Sequence, residues 1–141
     1  MPQCSIVLLG AGTIGASWAA LFLSHNANVS VFDPSKQALS RLSPYIKNAW
    51  RDLKKLDPTL KKIPWQKLKL SQDLATVCTA PDWVQENAPD RLKLKRNLLQ
   101  EAETYLPNDV PIASSTSALI ATDIQAEMIF PERLLVAHPF N

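Results

Sequence analysis

The chain has 141 residues, of which 46% are hydrophobic and 20% charged, and its net charge is +2. That length suffices for one domain with a real core, and so small a charge gives no grip on nucleic acid or an anionic membrane, so neither is expected as a partner. The two cysteines, Cys4 and Cys78, lack the C-x-x-C spacing of a metal or redox site; they read as small buried side chains in a reducing compartment, the cytoplasm, with no metal bound.

In chain order, Gln3 to Leu9 reads as a first strand and Thr13 to about Asn26 as a helix. Asn28 to Phe32 reads as a second strand. Ser35 to about Leu56 follows as a helix, with Leu39, Leu42, Ile46, Ala49, Trp50 and Leu53 near a 3.6-residue period. Pro44 is expected to end the first turn of that helix or kink it. Pro58 and Pro64 mark a loop, and Leu68-Lys69-Leu70 alternates as a short strand. Asp82 to Glu86 reads as the next strand, with Asn87 at its mouth. A helix then runs to about Leu106, with Arg91 and Lys95 expected on its solvent side. Pro111 to Ser115 is a strand, Leu119 to Met128 a helix, and Arg133 to His138 a last strand. Strands alternating with helices predict an α/β fold with a doubly wound parallel sheet, covered on both faces.

Residues Ser5 to Ser24 carry no charge and approach the length of a membrane span. No basic residue precedes them, and all three glycines of the chain lie inside the run. A signal or anchor is therefore rejected in favour of a buried first strand and helix. The glycines form Gly10-Ala11-Gly12-Thr13-Ile14-Gly15, and Asp33 closes the second strand. Strand, G-x-G-x-x-G turn, helix, strand and acid together make the dinucleotide fingerprint of the Rossmann fold. Gly10 permits the turn, Gly12 lets a pyrophosphate approach the backbone, and Gly15 lets helix and sheet pack closely. Thr13 and Ile14 complete the turn over which the pyrophosphate rests, on the helix N-terminus. Asp33 is placed to accept hydrogen bonds from a ribose, and with no arginine nearby in the sequence it favours NAD over NADP.

In such sheets ligands bind at the carboxyl ends of the strands. Glu86 and Asn87, Ser114 to Ser117, and His138 to Asn141 all fall at expected strand ends. Taken alone, each has a bland reading: Glu86 as a solvent-facing acid, the Ser/Thr cluster as turn caps, His138 as a strand-end histidine. His25, at the end of the first helix, reads as structural.

The segments GAGTIG, VQENAPDRLKLKRNLL, ASSTSAL and PERLLVAHPFN carry a resemblance across the whole chain. The sequence resembles the NAD-binding domain of the L-3-hydroxyacyl-CoA dehydrogenase family, and within it the branch that oxidises L-carnitine. The resemblance implies that His138 takes the proton of a substrate 3-hydroxyl and that Ser117 hydrogen-bonds the reacting oxygen. It further implies that Glu86 lies beside the nicotinamide ribose and that Asn141 lies near the substrate. The substrate would be a small 3-hydroxy acid, such as L-carnitine, or its CoA ester.

Family members continue into a helical domain that supplies the acid orienting the histidine and most of a homodimer interface. On this reading residues 1–141 are the Rossmann domain alone, the helical domain is absent, and the isolated chain is inactive. Met128, Ile129 and Phe130 are expected in the apolar surface so exposed. The competing reading is a non-catalytic NAD-binding module with a sensing or structural role.

Overall fold

The computed structural model describes residues 3–140, so Asn141 lies outside the described residues. Its strands are β1 (Ser5–Leu9), β2 (Asn28–Phe32), β3 (Leu68–Ser71), β4 (Trp83–Glu86), β5 (Ile112–Ser114) and β6 (Leu134–Val136). They form one sheet in the order β3-β2-β1-β4-β5-β6, and every pairing is parallel. The helices are α1 (Thr13–Ser24), α2 (Lys36–Leu56), α3 (Leu74–Val77), α4 (Leu92–Glu103) and α5 (Ala121–Gln125). This is the doubly wound α/β sheet that the alternating pattern predicts. Among the described residues no helix is long and apolar enough to cross a membrane.

The two-residue period of β1 divides the core. Ile6 and Leu8 face one side, with Ala16, Ala19, Ala20 and Leu23 of α1 and Leu39, Leu42, Ile46 and Trp50 of α2. Val7 and Leu9 face the other, with Leu74, Leu99, Ala102, Ile112, Ile124 and Leu134. The small residues on the buried face of α1 let the helix lie close against β1 and β2.

Pro44 neither ends nor interrupts α2, which runs unbroken from Lys36 to Leu56. The proline lies on the exposed side of the helix, where water can satisfy the carbonyl that its missing N–H leaves free. The buried stripe of Leu39, Leu42, Ile46 and Trp50 continues past it and holds the helix together. Ser35 caps the start, its hydroxyl accepting from Ala38 N at 3.2 Å.

Three further expectations are corrected. Lys95 is not on the solvent side but is 1% exposed, inside the α4–sheet seam. Met128 is buried against Ile124 and Leu134, so of the three residues expected in an apolar surface patch only Ile129, at 68%, is well exposed. The helix expected over Leu119 to Met128 shortens to Ala121–Gln125.

Burial at the C-terminal end of α3 pushes the Cys78 thiol up to about 12, with smaller contributions from the charges of Asp73 and Glu101. Cys4 is exposed. At pH 8 a thiol reagent should therefore label Cys4 of the native chain and reach Cys78 only in denaturant. Rapid labelling of both thiols in the native state would contradict this packing.

Candidate functional site

The polar residues collect along the carboxyl edge of the sheet, centred where β1 and β4 diverge. The Gly-rich turn leaves β1 with Gly10 at φ +107, a conformation open to glycine and strained for other residues. A side chain on Gly10 would also meet the Asn87 backbone at 2.9 Å. A side chain on Gly15 would stand 2.0 Å from the Gly10 carbonyl oxygen. Both glycines are thus demanded by the protein's own packing. Gly12 is different: a Cβ there meets nothing within 4 Å. Its space lies in front of the first N–H groups of α1, where a pyrophosphate would rest.

Asp33, at the end of β2, braces this turn. Its carboxylate accepts from Ala11 N and from Ser35 N, each at 2.8 Å. The same carboxylate lines a cleft of about 660 Å³, together with Gly10, Gly12, Thr13 and Ile14 on one side and Asn87, Ala88 and Pro89 on the other. Among the described residues no basic side chain lines this cleft. Arg41 lines an adjoining hollow of about 210 Å³ that shares Gly12, Thr13 and Ala38 with the cleft. An open cleft, a helix N-terminus that carries no side chain at Gly12 and an acid braced beside it fit a dinucleotide with a free ribose 2′-hydroxyl.

Glu86 does not line the cleft; it is 0% exposed at the end of β4. Oε1 accepts from Ala88 N at 2.6 Å and from Lys95 Nζ at 2.8 Å. Oε2 accepts from Lys95 Nζ at 2.9 Å and from the Ser114 hydroxyl. Lys95 also donates to Ala88 O at 2.8 Å and stands 3.4 Å from Asp90 Oδ1. The pair therefore fastens the loop between β4 and α4, which forms one wall of the cleft. The sequence carried a signal for it: Lys95 sits in the stripe Leu92, Lys95, Leu99, Ala102, whose spacing is that of a buried face.

Asp90 ties that loop to the next. Its Oδ2 accepts from Ser117 N at 3.1 Å and from the Ser117 hydroxyl at 3.0 Å. Burial pushes the Asp90 carboxyl up, but donors from the Thr116 side chain and from Ser117, with the charge of Lys95, outweigh it and bring it down to about 2. Beside it, Ser115 donates to Asn87 Oδ1 at 2.7 Å and accepts from Gln85 at 2.8 Å and from the Trp18 indole at 3.2 Å. Neither Asp90 nor this Gln85–Ser115–Trp18 network stood out in the sequence, because their partners are distant along the chain.

Ser117 and His138 follow β5 and β6, which are neighbours in register, Ser114 opposite Val136. Both residues are exposed. The His138 ring packs edge-on against Phe140 at 5.4 Å between centroids. Among the described residues no hydrogen bond joins Ser117 to His138; what brings them to one edge is the adjacency of their strands.

A sequence profile described as the 3-hydroxyacyl-CoA dehydrogenase NAD binding domain matches residues 5–141. The chain belongs to that family. An L-carnitine dehydrogenase of Nocardiopsis dassonvillei is 39% identical over 137 residues, which is 97% of this chain and 41% of the relative. An L-carnitine dehydrogenase/betainyl-CoA thioesterase of Rhizobium meliloti is 38% identical over 94% of this chain and 27% of its own length. The chain thus spans well under half the length of the curated relatives it matches. Among solved structures, a 3-hydroxybutyryl-CoA dehydrogenase from Escherichia coli superposes with a TM-score of 0.87 at 27% identity, covering 100% of this chain and 30% of that one. An NAD+-dependent 5-formyl-3-hydroxy-2-methylpyridine 4-carboxylic acid 5-dehydrogenase does so with a TM-score of 0.89 at 25% identity, covering 99% and 45%. The cofactor of this domain is NAD.

Gly12→Val should keep the native fold and its melting temperature yet lose NADH binding, whereas Gly15→Ala should be strongly destabilised. Measuring both by thermal melting and NADH titration checks this, and a Gly12→Val chain that binds NADH normally would refute it. Because Asp90 titrates lower in the folded chain than in the unfolded one, its stabilising contribution is complete above about pH 5 and disappears as pH falls toward 2. Asp90→Asn should therefore flatten the loss of stability across that window in urea titrations. An unchanged slope would mean that its donors hold no ionised carboxylate.

Proposed function

We propose that this chain is the cofactor-binding and half-catalytic part of an NAD-dependent dehydrogenase that oxidises a small 3-hydroxy acid or its CoA ester to the 3-oxo product. The observation that carries the reading is that Ser117 and His138 follow adjacent parallel strands of the sheet, in a chain 37–39% identical to L-carnitine dehydrogenases. When bound, NAD accepts the hydride from the carbon that bears the hydroxyl. His138 takes the hydroxyl proton, for which an imidazole is suited near neutral pH. Ser117, fixed by Asp90, sets a hydroxyl beside the reacting oxygen and limits the positions that oxygen can take. Glu86 serves the cofactor from behind, by holding Lys95 and the loop wall rather than by offering a free oxygen. Asn141 completes the substrate side, and Asp33 selects NAD over NADP by repelling a 2′-phosphate.

Binding of NADH by residues 1–141 is expected to need only the cleft, whereas turnover needs in addition a group that orients the His138 imidazole and walls that exclude water from the substrate. L-Carnitine is the first substrate we would expect, given the relatives, and 3-hydroxybutyryl-CoA the second.

The test follows NADH formation with each compound, using the protein at its natural full length. His138→Ala should lower kcat by about 100-fold or more, the usual scale for a general base, with NADH affinity retained. Full activity in His138→Ala, or oxidation of neither compound by the wild type, would overturn the reading.

A further inference from the structure

Beyond Asp33 the cleft continues toward α4, where its lining changes character. Pro34 and Leu98 give it apolar walls, and Leu94 is left 37% exposed over it. These surfaces suit the faces of a flat aromatic ring. At the same end stand two polar side chains, Asn97 and Glu101. They lie four residues apart on α4 and so share one face of the helix. Three other polar side chains of α4 are engaged elsewhere, while Lys93 is exposed one turn before Asn97. Arg96 bonds Asp123 O and Glu127, Gln100 bonds Glu127 O, and Lys95 bonds Glu86. Asn97 and Glu101 make no side-chain hydrogen bond to protein among the described residues, and both are open to the cleft.

We propose that Asn97 and Glu101 form a base-reading site that selects the adenine of the dinucleotide over a 6-oxo purine. With the ribose on Asp33, the base enters the slot between Pro34 and Leu98, and its 6-position edge meets α4. Glu101 is an acceptor only when ionised, so it takes a hydrogen bond from the 6-amino group. Asn97 presents an amide N–H to N1, the ring nitrogen beside that amino group. Hypoxanthine reverses the pattern. Its 6-oxygen confronts the Glu101 carboxylate, and its N1–H replaces an acceptor with a donor. The analogue thus exchanges two matched hydrogen bonds for two mismatches, acceptor against acceptor at position 6 and donor against donor at N1. The inference rests on NAD binding in this cleft and is independent of the hydride chemistry and of the substrate.

The test compares NADH with reduced nicotinamide hypoxanthine dinucleotide, titrated against the chain by energy transfer from its tryptophans. Wild type should bind NADH at least about 10-fold more tightly than the hypoxanthine analogue. Asn97→Leu and Glu101→Gln should each shrink that ratio to about 3-fold or less. Glu101→Gln should do so partly by improving the analogue, since its amide can donate to the 6-oxygen. Both positions are exposed, so circular dichroism should report an unchanged fold. Equal affinity of wild type for the two dinucleotides, or a ratio that survives both substitutions, would overturn the proposal. Failure of wild type to bind either dinucleotide would overturn it together with the cofactor assignment.

Discussion

An ammonium and a carboxylate shut away from water at the end of β4 hold the carboxyl edge of this sheet in shape. Burying Lys95 and Glu86 costs several kcal/mol for each ion before they meet. Such a pair persists where every proton and oxygen finds a partner. Lys95 meets both Glu86 oxygens and the Ala88 carbonyl, and Glu86 also receives Ala88 N–H and the Ser114 hydroxyl. The partners come from β4, α4, β5 and the loop between the first two. A contact of this kind contributes geometry more than net stability: it fixes where the loop wall stands relative to the Gly-rich turn.

Helix α4 performs this service twice. Near its other end Glu103 is buried and accepts from Ile129 N at 2.8 Å, Phe130 N at 3.0 Å and Arg133 at 3.1 Å. Arg133 in turn donates to Pro107 O at 2.5 Å. That second cluster sets the entry into β6, and β6 delivers His138. One helix therefore positions the wall against which the cofactor lies and the strand that carries the candidate base. Its remaining cleft-facing side chains, Asn97 and Glu101, are left free to meet the ligand.

What the sequence discloses and what it conceals follow from the range of the forces involved. The strands and long helices are written in local periodicity, so β1, β2 and α2 were legible to within a few residues. The fingerprint was legible because two of its glycines answer to steric demands inside a short turn, and the third to the absence of one. Lys95 was misread because charge alone argues for the surface. Only its place in the stripe with Leu99 and Ala102, together with an acid nine residues upstream, argues otherwise. Pro44 does not end α2 because a local rule is outweighed by a buried stripe running the length of the helix. Helix α3, Leu74–Val77, is too short to announce itself by period. The bonds of Asp90 to Ser117 and of Ser115 to Trp18 span long stretches of chain, and no local pattern records them.

The central claim is that the buried pair preorganises the cofactor wall. A double-mutant cycle on Glu86 and Lys95, read out as both unfolding free energy and NADH affinity, tests it most directly. Lys95→Met alone should destabilise the chain by about 3–5 kcal/mol, because it leaves a buried carboxylate unpaired. Adding Glu86→Gln should restore most of that stability while NADH affinity stays reduced, since the loop remains unfastened. NADH affinity that returns in step with stability, or a Lys95→Met chain that loses neither, would contradict the account.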